Sequence, residues 1–161
     1  MIIQFDKLSQ VALVVKDVRA SVRNYWDQLG VGSWKIWDLG PESMTEMTLR
    51  GEPARYSFRV AVTYVGDVAF ELVQPMEGES IFKEFLNEHG EGLHHLKYTP
   101  KNPDGVLNDF KIKGGRILQS ARLAEGAFYY LDTKSELGFI MELSTGRALR
   151  NRPPDAVFPP N

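Results

Sequence analysis

The sequence predicts an α+β protein built from two tandem βαβββ units, and three observations carry that prediction. An offset of 85 residues places Leu93 on Leu8, His95 on Gln10, Leu107 on Val22, Phe110 on Tyr25 and Gly115 on Gly30. A second offset, of 71, superposes Phe70-Glu71-Leu72 on Met141-Glu142-Leu143, and an excursion over residues 40–55 absorbs most of the 14-residue difference. A helical linker with its own amphipathic face separates the two copies. A register that survives a strand, a helix and a closing strand marks an internal repeat.

Each element follows from its local pattern. Residues 8–15 are a β-prone run stopped at Lys16-Asp17, and Asp17 stands where a helix cap is needed. Val18, Val22, Tyr25, Trp26 and Leu29 recur at helical spacing until Gly30, predicting a helix over 18–29. Strands are expected over 33–39 and 56–65, the latter turning through Gly66-Asp67 into 68–73 as a hairpin. The excursion holds Pro41, Gly51, Pro53 and a strandlike run at 44–49, and serves either as a connection or as a lid over a pocket.

Ile81, Phe82, Phe85 and Leu86 mark one face of a helix over 80–89, closed by Gly90 and Gly92. The second copy then reads as a strand at 93–99, a helix through Val106, Leu107, Phe110 and Ile112, and strands at 116–122, 127–131 and 139–143. The units are thus expected at 5–74 and 93–145, with the linker at 75–92 and a tail at 146–161. Four prolines in its last eleven residues suit a tail that packs on the surface or stays mobile.

Composition narrows the chemistry. The chain has 161 residues, 43% hydrophobic and 25% charged, enough for one ordinary core and too apolar for disorder. It contains no cysteine, which excludes disulfides, thiolate nucleophiles and cysteine-bound zinc, so any metal must take nitrogen and oxygen ligands. A net charge of −2 offers no general attraction for nucleic acid or an anionic membrane. The first residues show no basic leader and no apolar run reaches the ~20 residues that span a bilayer. A cytoplasmic protein acting on a small molecule is expected.

Four polar residues interrupt the apolar strand patterns at repeat-equivalent places: Gln10, Glu71, His95 and Glu142. Glutamine oxygen, imidazole nitrogen and two carboxylates make a chemically coherent ligand set with positions left for water or substrate. A buried polar network without metal explains the same four residues. Lys97, two residues beyond His95, shares its strand face and is placed to stabilise a carboxylate, an enolate or a phosphate. Arg59, Tyr56 and Tyr129 are candidates for substrate contact, and Trp34 and Trp37 for packing beneath or against an apolar ligand.

These residues and the order of elements resemble the vicinal-oxygen-chelate superfamily, which includes glyoxalase I, methylmalonyl-CoA epimerase, extradiol dioxygenases and antibiotic-resistance binding proteins. The resemblance covers about residues 8–144 and implies paired βαβββ modules in one cupped mixed sheet, with a metal held between them. Phe70-Glu71-Leu72-Val73-Gln74-Pro75, Glu79-Ser80, Phe85-Leu86 and Gly90-Glu91-Gly92-Leu93-His94-His95 are similar to the epimerase-like branch. Carried over position by position, the ligands are Gln10, Glu71, His95 and Glu142, with His94 facing the opposite way. The opening ligand is Gln10 where the epimerases resemble histidine, and the resulting set is similar to that of eukaryotic glyoxalase I.

The resemblance implies one divalent metal per site, Zn or Ni by preference, with Co, Mn or Fe also suited to the donors. It implies a lyase, isomerase or epimerase working through carbonyl polarisation and an enolate, on a glyoxalase-like or acyl-CoA substrate. Glu142 is expected as ligand and general base, Glu71 being the other carboxylate that could move the proton, with Glu46 as a second proton carrier if it reaches inward, because the epimerase position for that role aligns with Val60. Without Glu46, return of the proton from one carboxylate is the better fit. A binding protein without turnover and an iron dioxygenase are the alternatives, the second disfavoured by one histidine in place of two. A homodimer is also compatible with the fold.

Overall fold

The computed structural model describes residues 5–146, 149 and 151–160. The expectations for residues 1–4 and for tail positions 147, 148, 150 and 161 lie outside the described residues. The first unit comprises β1 (Phe5–Val14), α1 (Val18–Leu29), β2 (Trp34–Leu39), then β3 (Thr45–Leu49) and β4 (Glu52–Pro53) of the excursion, β5 (Phe58–Val65) and β6 (Val68–Pro75). The linker helix is α2 (Ile81–His89). The second unit comprises β7 (Gly92–Pro100), α3 (Pro103–Ile112), β8 (Ile117–Leu123), β9 (Gly126–Leu131), a short α4 (Lys134–Leu137) and β10 (Ile140–Gly146), and β11 (Ala156–Phe158) follows in the tail.

All strands join one mixed sheet in the order β11-β2-β5-β6-β1-β7-β10-β9-β8-β3-β4. The antiparallel β1–β7 pair lies at its centre. On either side β1 pairs parallel with β6 and β7 pairs parallel with β10. The arrangement is therefore pseudo-twofold, as the repeat arithmetic requires. Helix α1 covers the outer face of the first unit through Val18 and Val22, packed with Val15, Trp34, Ile36, Ala61 and Leu72. The Asp17 carboxylate accepts from Ala20 N at 3.0 Å, and Gly30 closes the helix at φ +65°, a left-handed conformation that suits glycine. Helix α3 covers the second unit through Leu107 against Leu131, Met141 and Leu143.

The excursion is a crossing. Strand β2 lies near one end of the sheet and β3 pairs with β8 near the other, with Thr45 opposite Arg122 and Thr48 opposite Ser120. Eight strand spacings separate β2 from β3 in the sheet, about 38 Å if the sheet were flat. Residues 40–44 alone connect them, and such a stretch reaches about 20 Å at most. The sheet must therefore curl into a deep cup, with its two ends drawn together by the crossing. Tyr56 fastens the return leg: its hydroxyl donates to Ser120 O at 2.7 Å, its ring stacks on Phe58, and Phe58 meets Phe128 across the cup at 6.1 Å. Tyr56→Phe leaves a half-buried carbonyl short of a donor and is expected to cost about 1–2 kcal/mol, read as a lower denaturant midpoint at unchanged slope.

The interior of the cup is apolar at one end, where α2 inserts Ile81 and Phe82 among Phe58, Phe128 and Tyr130. The tail, expected without regular structure, adds β11 to the free edge of β2. It is anchored by Trp37 Nε1, which donates to the carbonyls of Arg152 and Pro153 at 3.1 and 3.0 Å, and by Asp155, whose carboxylate accepts from Asp38 N.

Candidate metal centre

Strand pairing decides which side chains share the inner face, because partners directly opposite one another point the same way. One row across the cup reads Lys35, Val62, Glu71, Ala12 and His95. The next reads Gln10, Lys97, Glu142, Tyr130 and Gln119. Gln10, Glu71, His95 and Glu142 thus come from the four central strands and meet in the middle of the inner face, all within one chain.

Their polar atoms converge. Gln10 Nε2 donates to Glu71 Oε2 at 2.9 Å and to Glu142 Oε2 at 3.0 Å, and lies 3.4 Å from His95 Nε2. His95 Nε2 is itself 3.4 Å from Glu71 Oε2 and 3.2 Å from Glu142 Oε2. One ligand atom from each of Glu71, His95 and Glu142 lies within 4.8 Å of the others, and all three residues are buried. A buried pair of carboxylates is costly unless a cation or several donors stand between them. The donor set therefore fits a divalent ion at the common centre. For Gln10 to join as a ligand its carboxamide turns over, exchanging Nε2 for Oε1 with little change in shape.

The two carboxylates are not equivalent. The strand positions that correspond are Ala12 beside Glu71 and Lys97 beside Glu142. Lys97 Nζ lies 3.1 Å from Glu142 Oε1 and Ser144 Oγ donates to the same oxygen at 3.0 Å. Burial works to raise the proton affinity of Glu142, but the Lys97 charge and the His95 and Lys97 contacts overcome it and hold the carboxyl well below the usual range. For Glu71 burial wins, aided by the Glu142 charge, and its proton affinity is raised despite His95. Burial pulls His95 down, yet its contacts with Glu142 and Glu71 hold it above the ordinary imidazole value.

The structure does not gather every residue the sequence singled out. Tyr56 belongs to the apolar end of the cup and is committed to Ser120. Arg59 is one residue out of phase with Val60, so it stands on the outer face, paired with Asp38. Tyr129 alternates with Tyr130 and likewise faces outward, beneath Lys111 and beside the residues of α3. Glu46 sits in the β3 bulge at φ +48° with a side chain 77% exposed, 3.8 Å from Arg122, and does not reach inward. Trp34 packs under α1 and Trp37 in the inner core. Lys97 alone of the substrate candidates touches the cluster.

His94 departs from the alternation expected of it. The register between β1 and β7 jumps from Ala12 opposite His95 to Leu13 opposite Leu93, a bulge that leaves His94 unpaired across the ladder. Both imidazoles then stand on the inner side, with His94 Nδ1 2.8 Å from His95 Nδ1. Burial pushes His94 well below the ordinary imidazole value and the His95 charge adds to it; the Ile81 backbone works the other way without making a hydrogen bond to Nε2. A cavity of about 480 Å³ bordered by Phe110, Leu131, Leu137 and Met141 lies across the sheet from the cluster.

A profile of the Glyoxalase/Bleomycin resistance protein/Dioxygenase superfamily matches residues 9–130. No curated protein matches the chain. Among solved structures it is similar to a hypothetical protein from Bacillus halodurans C-125, at 20% identity and a TM-score of 0.63 over 88% of this chain and 94% of that one. It is similar to methylmalonyl-CoA epimerase from Mycobacterium tuberculosis, at 17% identity and a TM-score of 0.59 over 89% of each chain. A Streptomyces coelicolor methylmalonyl-CoA epimerase variant in complex with 2-nitronate-propionyl-CoA gives 20% identity and a TM-score of 0.60 over 90% of this chain and 97% of that one. At these identities the likeness establishes the fold. Among the described residues no helix is long and apolar enough to cross a membrane.

Proposed function

The chain belongs to the glyoxalase/bleomycin resistance protein/dioxygenase superfamily, and on that premise we propose that it is a divalent-metal-dependent isomerase or lyase moving a proton on a carbon beside a carbonyl. Gln10, Glu71, His95 and Glu142 would hold the ion, Zn or Ni in preference to Co, Mn or Fe. A bound ion supplies Lewis acidity toward the substrate oxygen and stabilises charge developing there. The substrate class is a 2-oxo hemithioacetal or an acyl-CoA thioester, the latter suggested by the epimerases that share the fold.

The observation that carries the reading is the asymmetry between the two halves of an otherwise symmetric cluster. Beyond Glu142 the row is closed by Tyr130 and Gln119, both buried. Beyond Glu71 the corresponding places hold half-buried Val62 and exposed Lys35, so the row reaches solvent on that side. Glu142 is fixed at both oxygens, by Lys97 and Ser144 on one and by Gln10 and His95 on the other. Glu71 is held through Oε2, with no contact to Lys97 or Ser144 of the kind that fixes Glu142. We therefore assign the proton to Glu71, in place of the Glu142 favoured by the sequence, and leave Glu142 as a fixed ligand.

With Glu46 outside the cup, the proton removed by Glu71 returns from the same side. That supports isomerisation or elimination over epimerisation, which needs carriers on opposite faces of the carbon. The test is deuterium uptake at the activated carbon of both substrate classes in D2O, at saturating Zn2+. Wild type is expected to exchange, and Glu71→Gln to lose about 10²–10⁴-fold of the exchange rate while still binding Zn2+. Full exchange in a zinc-loaded Glu71→Gln protein would refute the assignment. Ligand binding with no exchange in wild type would make the protein a sequestering one.

A further inference from the structure

We propose that His94 is a positioning residue for the metal centre: its Nδ1 accepts the Nδ1 proton of His95 and so presents the His95 Nε2 lone pair to the ion. The inference rests on the metal reading above and adds a role to a residue outside the ligand set.

The geometry leaves few choices. His95 turns Nε2 toward Glu71, Glu142 and Gln10, and Nδ1 toward His94 at 2.8 Å, a full-strength hydrogen bond. A neutral imidazole carries one proton, and an ion at Nε2 requires that proton on Nδ1. The atom facing it, His94 Nδ1, must then accept. His94 in turn carries its own proton on Nε2, a buried atom with no hydrogen-bond partner. Leaving such an atom unpaired is a cost that the fold bears at this one imidazole.

The His94 ring is not free to turn away from the task. Phe82 and Phe85 hold it at centroid distances of 5.2 and 5.1 Å, and Tyr130 packs at 4.9 Å against the His95 ring. The bulge in β7 is what brings the two imidazoles to one side; in regular pairing they would face opposite sides of the sheet. Partners that orient a ligating histidine in this way are commonly carboxylates or backbone carbonyls, and their loss costs 10- to 100-fold in metal affinity. Here an imidazole occupies that place.

The test uses two substitutions and one spectrum. His94→Leu removes the acceptor, whereas His94→Asn restores one, since an asparagine Oδ1 lies close to where a histidine Nδ1 does. Zn2+ affinity is expected to fall about 10- to 100-fold in His94→Leu and to stay within about threefold of wild type in His94→Asn. In the zinc-loaded wild type, long-range 1H–15N correlation should show His95 with its proton on Nδ1 and a coupling across the hydrogen bond to His94 Nδ1. Unchanged affinity in a folded His94→Leu protein, or His95 metallated at Nδ1, overturns the proposal. Should His94→Leu fail to fold, the wild-type spectrum and His94→Asn decide it. A wild type that takes up no Zn2+ rejects the metal centre itself, and the positioning role with it.

Discussion

Stripped of metal and titrated with Zn2+, the protein is expected to take up one ion per chain, and His95→Ala to weaken that uptake by at least about 100-fold. His95 is the single nitrogen donor of the cluster and is wholly buried at its centre, so alanine removes a ligand and leaves two carboxylates facing a void. Losing an orienting neighbour already costs up to about 100-fold, and losing the ligand itself should cost no less. Glu71→Gln keeps an oxygen donor and should weaken binding less, by about tenfold. Because the ion binds only the folded chain, wild type in a 1,000-fold excess over Kd should gain about 4 kcal/mol of stability, a gain that His95→Ala should lack. Equal stoichiometry and affinity in wild type and folded His95→Ala would dispose of the centre.

The second large effect is a reversal of the pH dependence of stability by metal. In the metal-free protein His95 binds its proton more tightly than an ordinary imidazole, whose value is 6.5, through its contacts with Glu142 and Glu71. Stability from that charged ring is fully present below about pH 6.5 and is lost as pH rises through the folded-state value. The raised affinity of Glu71 acts in the same sense, favouring a protonated carboxyl in the folded state. Glu142 has the opposite sign, with stability present above its ordinary carboxylate range and lost only in strong acid. The metal-free melting temperature should therefore decline from about pH 6 toward pH 9. With Zn2+ present, the ion competes with the His95 proton and affinity grows with pH, so the melting temperature should rise over the same interval. Parallel slopes with and without Zn2+ would show that the ion and the His95 proton do not compete.

The repeat was legible because side-chain chemistry recurs at fixed offsets: the four cluster residues interrupt apolar runs where nothing in local propensity calls for a charge. Helices α1, α2 and α3 were legible for the same reason, their apolar stripes ending at glycine or at an abrupt loss of period. What the sequence hides is pairing. Residues 44–49 read as a strand, but nothing in them names β8 as partner, so the choice between connection and lid stayed open. The bulge at His94 is a register shift between two strands, invisible in either alone, and strict alternation sent that imidazole to the wrong side. Arg59 and Tyr129 were readable in principle, since each alternates with neighbours that line the inner face. Strand β11 is three residues among prolines, held by Trp37 and Asp155 contacts that no period announces.

The short crossing from β2 to β3 also sets an order of events when the chain is made. Thr48 pairs with Ser120, 72 residues downstream, so the first half leaves the ribosome with a strand whose partner has not yet been synthesised. Until β8 emerges, β3 is flanked only by the two-residue β4, and its other edge, carrying Met47 and Leu49, stays open, the kind of segment that sticks to other chains. Glu46, Arg50 and Glu52 are charged residues set along that same stretch, and charges on an edge strand oppose such pairing. Exposed Glu46 thus stands where a charge opposes pairing of that open edge with other chains.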